Sequence, residues 1–461
     1  QLDHREGYFK NSKIRFTGQV KFIRDNTSDW IPFEKLFYAF VKYNLNVPKD
    51  KLKGFLLSLI ENGFLITDIR GGLSETDPLQ NLLDQLKDYK LNTQNSNYYE
   101  KLLKVNELRL EYSSKPYGKG IDLYQNLCEK MEEIHKSTNY INVICQHSIE
   151  KICLNQNIRQ ELERFANFLI IVSSSDNEPA YLTSYKERFL DKYGANIEVP
   201  LLELFNPVAG LGNPYEIPLL KTGNEYKGSK KRELIEKYFK DKILYCIKNQ
   251  IRECVVDDED IKYLKHLQIS HKESKITYAS SFELNAAILA ENTEQIDQDN
   301  YKIILGHCIG ANRIGKLTNR FYNALSDAYK EEIALFYKKE IDNAKYLYAE
   351  SIHLPREGRV NNVSGGKKNY KYQLNYNLAP EKYQTEISLQ DLVIGINKDN
   401  DRFYIKSKAY NKIIAAVSDS MITRLDDDCY IRFLREVTYA YHIEPLENIY
   451  YLQANESRYI P

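Results

Sequence analysis

Between Asp77 and Thr138 apolar residues fall every three or four positions: Leu79, Leu82, Leu83 and Leu86, then Tyr99, Leu102, Leu103 and Leu108, then Leu123, Leu127, Met131 and Ile134. That is the helical period, with Lys and Glu on the opposite faces, so the block predicts amphipathic helices with solvated outer surfaces. No stretch approaches the roughly 18 consecutive apolar residues of a bilayer span, so these helices must bury their stripes within the protein. At 43% apolar over 461 residues the chain can build a sizeable core, and disorder or collagen-like order is excluded. No internal repeat is evident.

The ends of this block carry different patterns. Residues 7–24 read as two short strands, with alternation in Lys13–Phe16 and Val20–Ile23 around Gly18. Ser28-Asp29 and Pro32 then open a helix with Phe33, Leu36, Phe37 and Phe40 inward. A second helix after Pro48 carries Leu52, Phe55, Leu56, Leu59 and Ile60 and stops at Gly63, and Phe64–Arg70 reads as a returning strand. This order predicts a winged-helix-like unit over 1–75, followed by a body over 76–461 of mixed helices and short sheets. The fold class is α+β with several subdomains. In the body, residues 140–153 read as strand, 157–168 and 182–193 as helices, 253–308 as strands around a helix near 257–267, and 392–396 and 402–405 as strands before a C-terminal helix.

Charge narrows the function. The chain has 64 basic and 64 acidic residues, so any nucleic-acid contact must come from local patches. The most basic run is Lys227-Gly228-Ser229-Lys230-Lys231-Arg232, and Lys367 and Lys368 form a second. Seven scattered cysteines without a CxxC pair predict reduced, mostly buried thiols in a cytosolic protein. Cys145 with His147, and His307 with Cys308, lack zinc-ligand spacing, so no metal is expected.

Gly310–Leu317 nearly fits the phosphate loop GxxxxGK(S/T), but Leu317 stands where a hydroxyl must hold magnesium, which argues against an NTPase. The segment is expected to gather Arg313, Lys316 and Arg320 near a glycine-rich turn, where three cations would attract a carboxylate or phosphate. The acidic runs Asp257–Asp260 and Asp426–Asp428 are explained by loop solvation and helix N-terminal charge. No nucleophile elbow or triad appears. Residue types and spacing alone name no reaction.

Several segments, taken in order, carry a resemblance. They are Trp30–Leu36, Leu59–Arg70, Thr76–Leu79, Tyr185–Gly194, Val199–Leu204, Gly210–Pro214, Ser281–Leu284, Arg320-Phe321 and Arg359-Val360-Asn361-Asn362-Val363. Together they resemble the N-terminal glutamylation region of lantibiotic dehydratases, the nisin-type enzymes. The resemblance implies transfer of glutamate from glutamyl-tRNA to Ser and Thr hydroxyls of a ribosomal precursor peptide, before a separate domain eliminates glutamate to leave dehydroamino acids.

It also implies roles for particular residues. Arg320, and next Arg359, are expected to stabilise charge at the transferred group, with Arg313 beside them. Lys227, Lys230, Lys231, Arg232, Lys316, Lys367 and Lys368 are expected to meet tRNA phosphates. Leu56, Leu59, Phe64, Ile66 and Asp68 are expected to line a groove to which the leader peptide adds as a strand. Glutamyl-tRNA is the co-substrate, and no other cofactor is expected. The implied partners are the precursor peptide and the tRNA, with a cyclase, a separate elimination protein or a second copy as further ones, in the cytoplasm. Departures are Asn319 in place of the family's glycine before Arg-Phe, and no acidic residue around Val143-Ile144-Cys145.

The start, Gln1-Leu2-Asp3-His4, has neither an initiator Met nor a secretion signal, which reads as part of a longer protein. The family's opening segment and its elimination domain are expected outside the chain, leaving it incomplete as a catalyst. The second reading is a non-catalytic module that binds the precursor peptide.

Overall fold

A computed structural model describes residues 2–3, 8–9, 14–69, 77–88, 96–145, 153–173, 178–216, 230–270, 277–278, 281–353, 361–367, 369–376, 378, 384–399 and 401–443. The chain divides into two compact units, Gln1–Asn142 with His353–Asn362 and Asn375–Glu381, and Val143–Ile352 with Val363–Leu374 and Lys382–Pro461. Mixed helices and short sheets make it α+β.

In the first unit β1 (Leu2–Asp3) pairs antiparallel with β2 (Tyr8–Phe9). Helices α1 (Gly18–Asn26), α2 (Phe33–Tyr43) and α3 (Lys49–Glu61) close on a core of Ile23, Leu36, Phe40, Leu52, Leu56 and Leu59. Three strand expectations fail here, the first being Lys13–Phe16, whose described residues 14–16 form no strand. Val20–Ile23 is helical: the Thr17 hydroxyl accepts from the Val20 amide and opens α1, and Ile23 joins the core while Phe22 stacks on Tyr43 at 4.4 Å. A strand would have pointed these two neighbours to opposite faces. Phe64–Ile69 turns instead of extending, because the Leu59 carbonyl accepts from both the Phe64 and Leu65 amides and Leu65 folds back onto the core. Arg70 lies outside the described residues.

The helical block forms as its period requires: α4 (Pro78–Asp88), α5 (Ser96–Ser113) and α6 (Ile121–Glu132) bury Val105, Leu108 and Leu127 together, with Leu79, Leu123 and Met131 against them. The strand expected from 140 is absent over 140–145.

In the second unit α7 (Gln156–Val172) is followed by α8 (Ala180–Tyr193), β3 (Val199–Pro200), α9 (Leu201–Leu204), α10 (Lys230–Lys248), α11 (Asp258–Ser270), β4 (Thr277–Tyr278), β5 (Glu283–Leu289), α12 (Thr293–Asp297), β6 (Lys302–Ala311) and α13 (Asp327–Asp342). Then come β7 (Leu347–His353), α14 (Asn361–Ser364) and β8 (Tyr372–Tyr376), whose residues 353, 361–362 and 375–376 are counted with the first unit, and β9 (Thr385–Glu386), β10 (Leu392–Asn397), β11 (Arg402–Ser407), β12 (Lys412–Val417), α15 (Cys429–Tyr439) and β13 (His442–Ile443).

A seven-stranded sheet runs in the order β3, β10, β11, β12, β7, β8, β9. Its first four strands are antiparallel and β12 lies parallel to β7. Alternation divides its side chains. Ile394, Ile396, Phe403, Ile405, Ile414 and Ala416 share one core with Leu182, Tyr185 and Phe189 of α8 and Phe433, Leu434 and Val437 of α15. Tyr348, Ala415 and Val417 pack with Tyr370 and with Ile333 and Tyr337 of α13. With cover on both faces, β10 reads as a continuous apolar run, as the sequence did. The β5–β6 ribbon packs Phe282, Leu284 and Leu305 around Leu169 of α7.

Two readings of side chains change. Among the six described cysteines only Cys246 is buried, while Cys145, Cys153 and Cys254 are exposed. The two flanking positions 145 and 153 sit in irregular backbone, where a small thiol need not join a core. The acidic runs do cap helices, Asp428 accepting from the Tyr430 amide, but Asp427 is buried against Arg435.

Glu436 of α15 accepts from the Tyr215 hydroxyl at Oε2 (2.6 Å) and from Arg432 Nε at Oε1 (3.1 Å). Arg432 and the Tyr215 hydroxyl favour the charged form, but burial outweighs them and pushes this carboxyl up from 4.5 to about 9, so the folded chain keeps a proton that the unfolded chain releases. The resulting stability is complete below about pH 4.5 and is lost as pH rises toward 9. Glu436→Gln stays neutral throughout. Thermal melts at rising pH should therefore show the unaltered chain losing on the order of a few kcal/mol relative to Glu436→Gln. Parallel curves would mean that Glu436 is ionised in the fold.

Candidate functional site

The near-phosphate loop sits where β6 ends. Glu283, at the start of β5 and paired in register with Ala311, turns its carboxylate into the loop. Its Oε1 accepts from the Gly315 amide and its Oε2 from the Leu317 amide, both at 2.7 Å. Ser281 Oγ accepts from the Ile314 amide at 3.2 Å. Gly315 holds φ at +76°, the left-handed region that lets these amides converge. The loop therefore cradles an anion, but the anion is the protein's own carboxylate. Burial, with Asp419, holds the Glu283 carboxyl above its ordinary value, and the two amides and Lys316 offset this only in part. No α-helix N-terminus follows, only the 3₁₀ turn Asn319–Ala324.

The three cations expected together are dispersed by this geometry. Arg313 is 9% exposed and turns inward, donating to Glu340 and to the Tyr370 hydroxyl, with its guanidinium 5.0 and 5.4 Å from the Tyr348 and Tyr370 rings. Burial works against its charge, yet Tyr370 and Glu340 outweigh this and hold the guanidinium well above its ordinary value. Lys316 donates back to Asn312 Oδ1 at 2.8 Å. Arg320 is exposed, its guanidinium 4.3 Å from the Phe321 ring centre. The sequence spacing was right, but a loop wrapped around Glu283 points successive side chains inward, backward and outward.

A different set of cations gathers around the 3₁₀ turn. Lys367 lies over the Tyr322 ring at 5.1 Å and donates to its hydroxyl at 3.1 Å; Lys330 of α13 meets the same ring at 5.4 Å and pairs with Asp327. Arg320 on Phe321 is the neighbouring pair. Cations alternating with aromatic faces suit phosphates and stacked bases. Lys330, Tyr322 and Glu283 were missed as site residues; Glu283 lay inside the quoted Ser281–Leu284 segment, whereas nothing in the sequence ties Lys330 to Tyr322.

Gly366 couples the two segments. A Cβ there would stand 2.6 Å from the Asn319 carbonyl oxygen, and its φ of +139° already suits only glycine. Asn319 is itself buried, donating to the Asp419 carbonyl at 3.1 Å. Gly366→Ala is expected to cost about 2–3 kcal/mol and to displace the Arg320 turn. Chemical denaturation measures the first, and an unchanged midpoint would show that the loops separate easily.

The other expected residues fall as follows. Arg359, Lys227 and Lys368 lie outside the described residues. Lys230, Lys231 and Arg232 open α10, with only their backbone described. Leu56 and Leu59 are 0% and 4% exposed in the three-helix core, so they hold the unit together rather than line a groove. Phe64 and Asp68 are exposed and Ile66 is half-buried. Among the described residues no three His, Cys, Asp or Glu side chains converge on a metal position, and no helix is long and apolar enough to cross a membrane.

Fold and loop together define a two-unit α+β protein with a basic, aromatic turn set beside a mixed sheet. The chain belongs to the lantibiotic dehydratase family: the model for the N terminus of lantibiotic dehydratases matches residues 2–461. It is similar to the subtilin biosynthesis protein SpaB of Bacillus subtilis, at 24% identity over 446 residues covering 94% of this chain and 41% of that protein. It is also similar to the nisin biosynthesis protein NisB of Lactococcus lactis subsp. lactis, at 26% over 402 residues covering 83% and 37%.

Among solved structures, the tRNA dependent lantibiotic dehydratase MibB from Microbispora sp. 107891 shares the fold, with a TM-score of 0.76 and 21% identity over 92% of this chain and 41% of that one. The glutamylation domain TbtB from thiomuracin biosynthesis gives 0.55 and 14% over 92% and 50%. The chain thus spans well under half the length of the curated relatives it matches.

Proposed function

We propose that this chain is the glutamylating part of a dehydratase that moves glutamate from glutamyl-tRNA to Ser and Thr hydroxyls of a ribosomal precursor peptide in the cytoplasm. Family membership supports the general reading, and the cation–aromatic turn around Arg320, Phe321, Tyr322 and Lys367 is the observation that carries it. The peptide hydroxyl oxygen bonds to the glutamyl carbonyl carbon, the ester bond to the tRNA ribose breaks, and the hydroxyl proton passes to the ribose oxygen. An aminoacyl ester is already activated, so the protein's task is to orient the hydroxyl and to balance charge.

Arg320 is exposed, and in water its charge is heavily screened, so it suits a tRNA phosphate or the glutamyl carboxylate, gaining strength once substrate covers it. Lys230, Lys231 and Arg232, in the first turn of α10, would add phosphate contacts where a helix favours an anion. The leader peptide would dock on the three-helix unit beside Phe64, Ile66 and Asp68, whose unextended backbone would become a wing only when the leader pairs with it.

The test is to incubate the full-length protein with precursor peptide and glutamyl-tRNA and to record peptide masses. Successive glutamyl increments are expected, with tRNA retention weakening steeply as salt rises. A peptide that binds but gains no mass would leave only the binding-module reading.

A further inference from the structure

A cavity of about 210 Å³ in the second unit lies between the end of α13 and the sheet. Its walls include Tyr346, Tyr348, Tyr370 and Tyr372, and Lys345, Lys371 and Lys412 stand exposed in its lining; no lining residue is acidic. The Tyr346 and Tyr348 rings meet edge to face at 5.3 Å, and Tyr348 meets Tyr370 at 5.4 Å. Behind them the buried Arg313 lies against both Tyr348 and Tyr370, so this wall rests on the same loop that presents Arg320. The last turn of α13 brings a partial negative charge, which three ammonium groups outweigh.

We propose that this cavity takes one unpaired nucleobase of an RNA strand, with the phosphates on either side of that base held by Lys345, Lys371 and Lys412. The inference rests on the RNA reading above and adds a second contact to it. Size selects the occupant: pockets for whole drug-sized ligands run from about 300 to 1,000 Å³, so this one has room for a single ring system. The half-buried Tyr346 and Tyr372 offer ring surface to a base, with the buried Tyr348 and Tyr370 backing them. Three exposed lysines in one lining suit the repeated charge of a phosphate chain, whereas a lone acidic aromatic side chain would need only one of them.

The test uses the unaltered chain and the variant Lys345→Gln/Lys371→Gln/Lys412→Gln, whose changes are exposed and leave the core intact. The probes are a labelled single-stranded oligoadenylate and a Glu-Tyr copolymer, titrated by anisotropy at several salt concentrations. The variant is expected to bind the oligonucleotide at least about 10-fold more weakly, with the salt slope reduced by about 2, near 0.7 for each phosphate that no longer meets a lysine. A Tyr346→Leu chain should also lose photocross-linking to an oligonucleotide carrying 4-thiouridine.

Equal affinity and slope in the lysine variant, with RNA still bound, would overturn the cavity assignment and leave the RNA reading standing. Lysine-dependent binding of the copolymer but not of the oligonucleotide would overturn it in favour of a peptide site. An unaltered chain that binds no RNA at all would remove the RNA reading itself.

Discussion

Replacing Arg313 by methionine is expected to destabilise the fold by about 3–5 kcal/mol, because it removes the cation from a buried carboxylate that the Tyr370 hydroxyl alone does not neutralise. Glu340 has 5% of its side chain exposed and receives the Arg313 guanidinium, and Tyr370, 2% exposed, accepts from the same group. Two rings stack against the cation and would lose its attraction too. Charge burial, rather than lost volume, should dominate. Arg313→Met/Glu340→Leu removes both ions and should recover most of the loss, since apolar replacement of a whole buried pair is often neutral or better. Urea midpoints at constant m compare the three chains. If the double variant is as unstable as the single one, packing around Tyr348 and Tyr370 matters more than the ion pair.

The second large effect is functional. Arg320→Ala in the full-length protein is expected to lower kcat/KM for glutamyl transfer by about 10- to 100-fold, the equivalent of one or two charge-assisted hydrogen bonds. Stability should barely change, because the side chain is exposed and its described contact is the ring of its neighbour. The division between constants identifies the role. A loss confined to KM marks a phosphate or carboxylate anchor, whereas a loss in kcat marks charge stabilisation at the reacting carbonyl. Arg320→Lys keeps the charge but not the planar fork, so partial recovery would favour a point contact over a bidentate one. Adding Lys367→Ala should deepen a KM effect and flatten its salt dependence. Normal kinetics in Arg320→Ala would remove this turn from the site.

The parts of the fold legible in the sequence were those whose period is local. The helical block from Leu79 to Ile134, the stop at Gly194 and the apolar runs of β10 and β11 follow from side chains three, four or two positions apart. Short stretches were ambiguous. Val20–Ile23 alternates like a strand over four residues, and only the Thr17 cap and the faces of α2 and α3 settle it as helix. Leu56 and Leu59 could have lined a groove or a core, and neither spacing nor chemistry distinguishes the two before α1 and α2 close over them.

By itself, then, the sequence determined that this chain is an α+β protein with basic residues clustered near Gly315, and its ordered motifs determined its family. Tertiary structure alone decided which of those cations are available. A carboxylate from a strand about thirty residues away occupies the glycine-rich loop, a glutamate from α13 neutralises Arg313, and tyrosines from two separate segments line one cavity. Charge in a protein acts through distance and burial, and both are set by residues remote in the chain, so no local pattern can specify them.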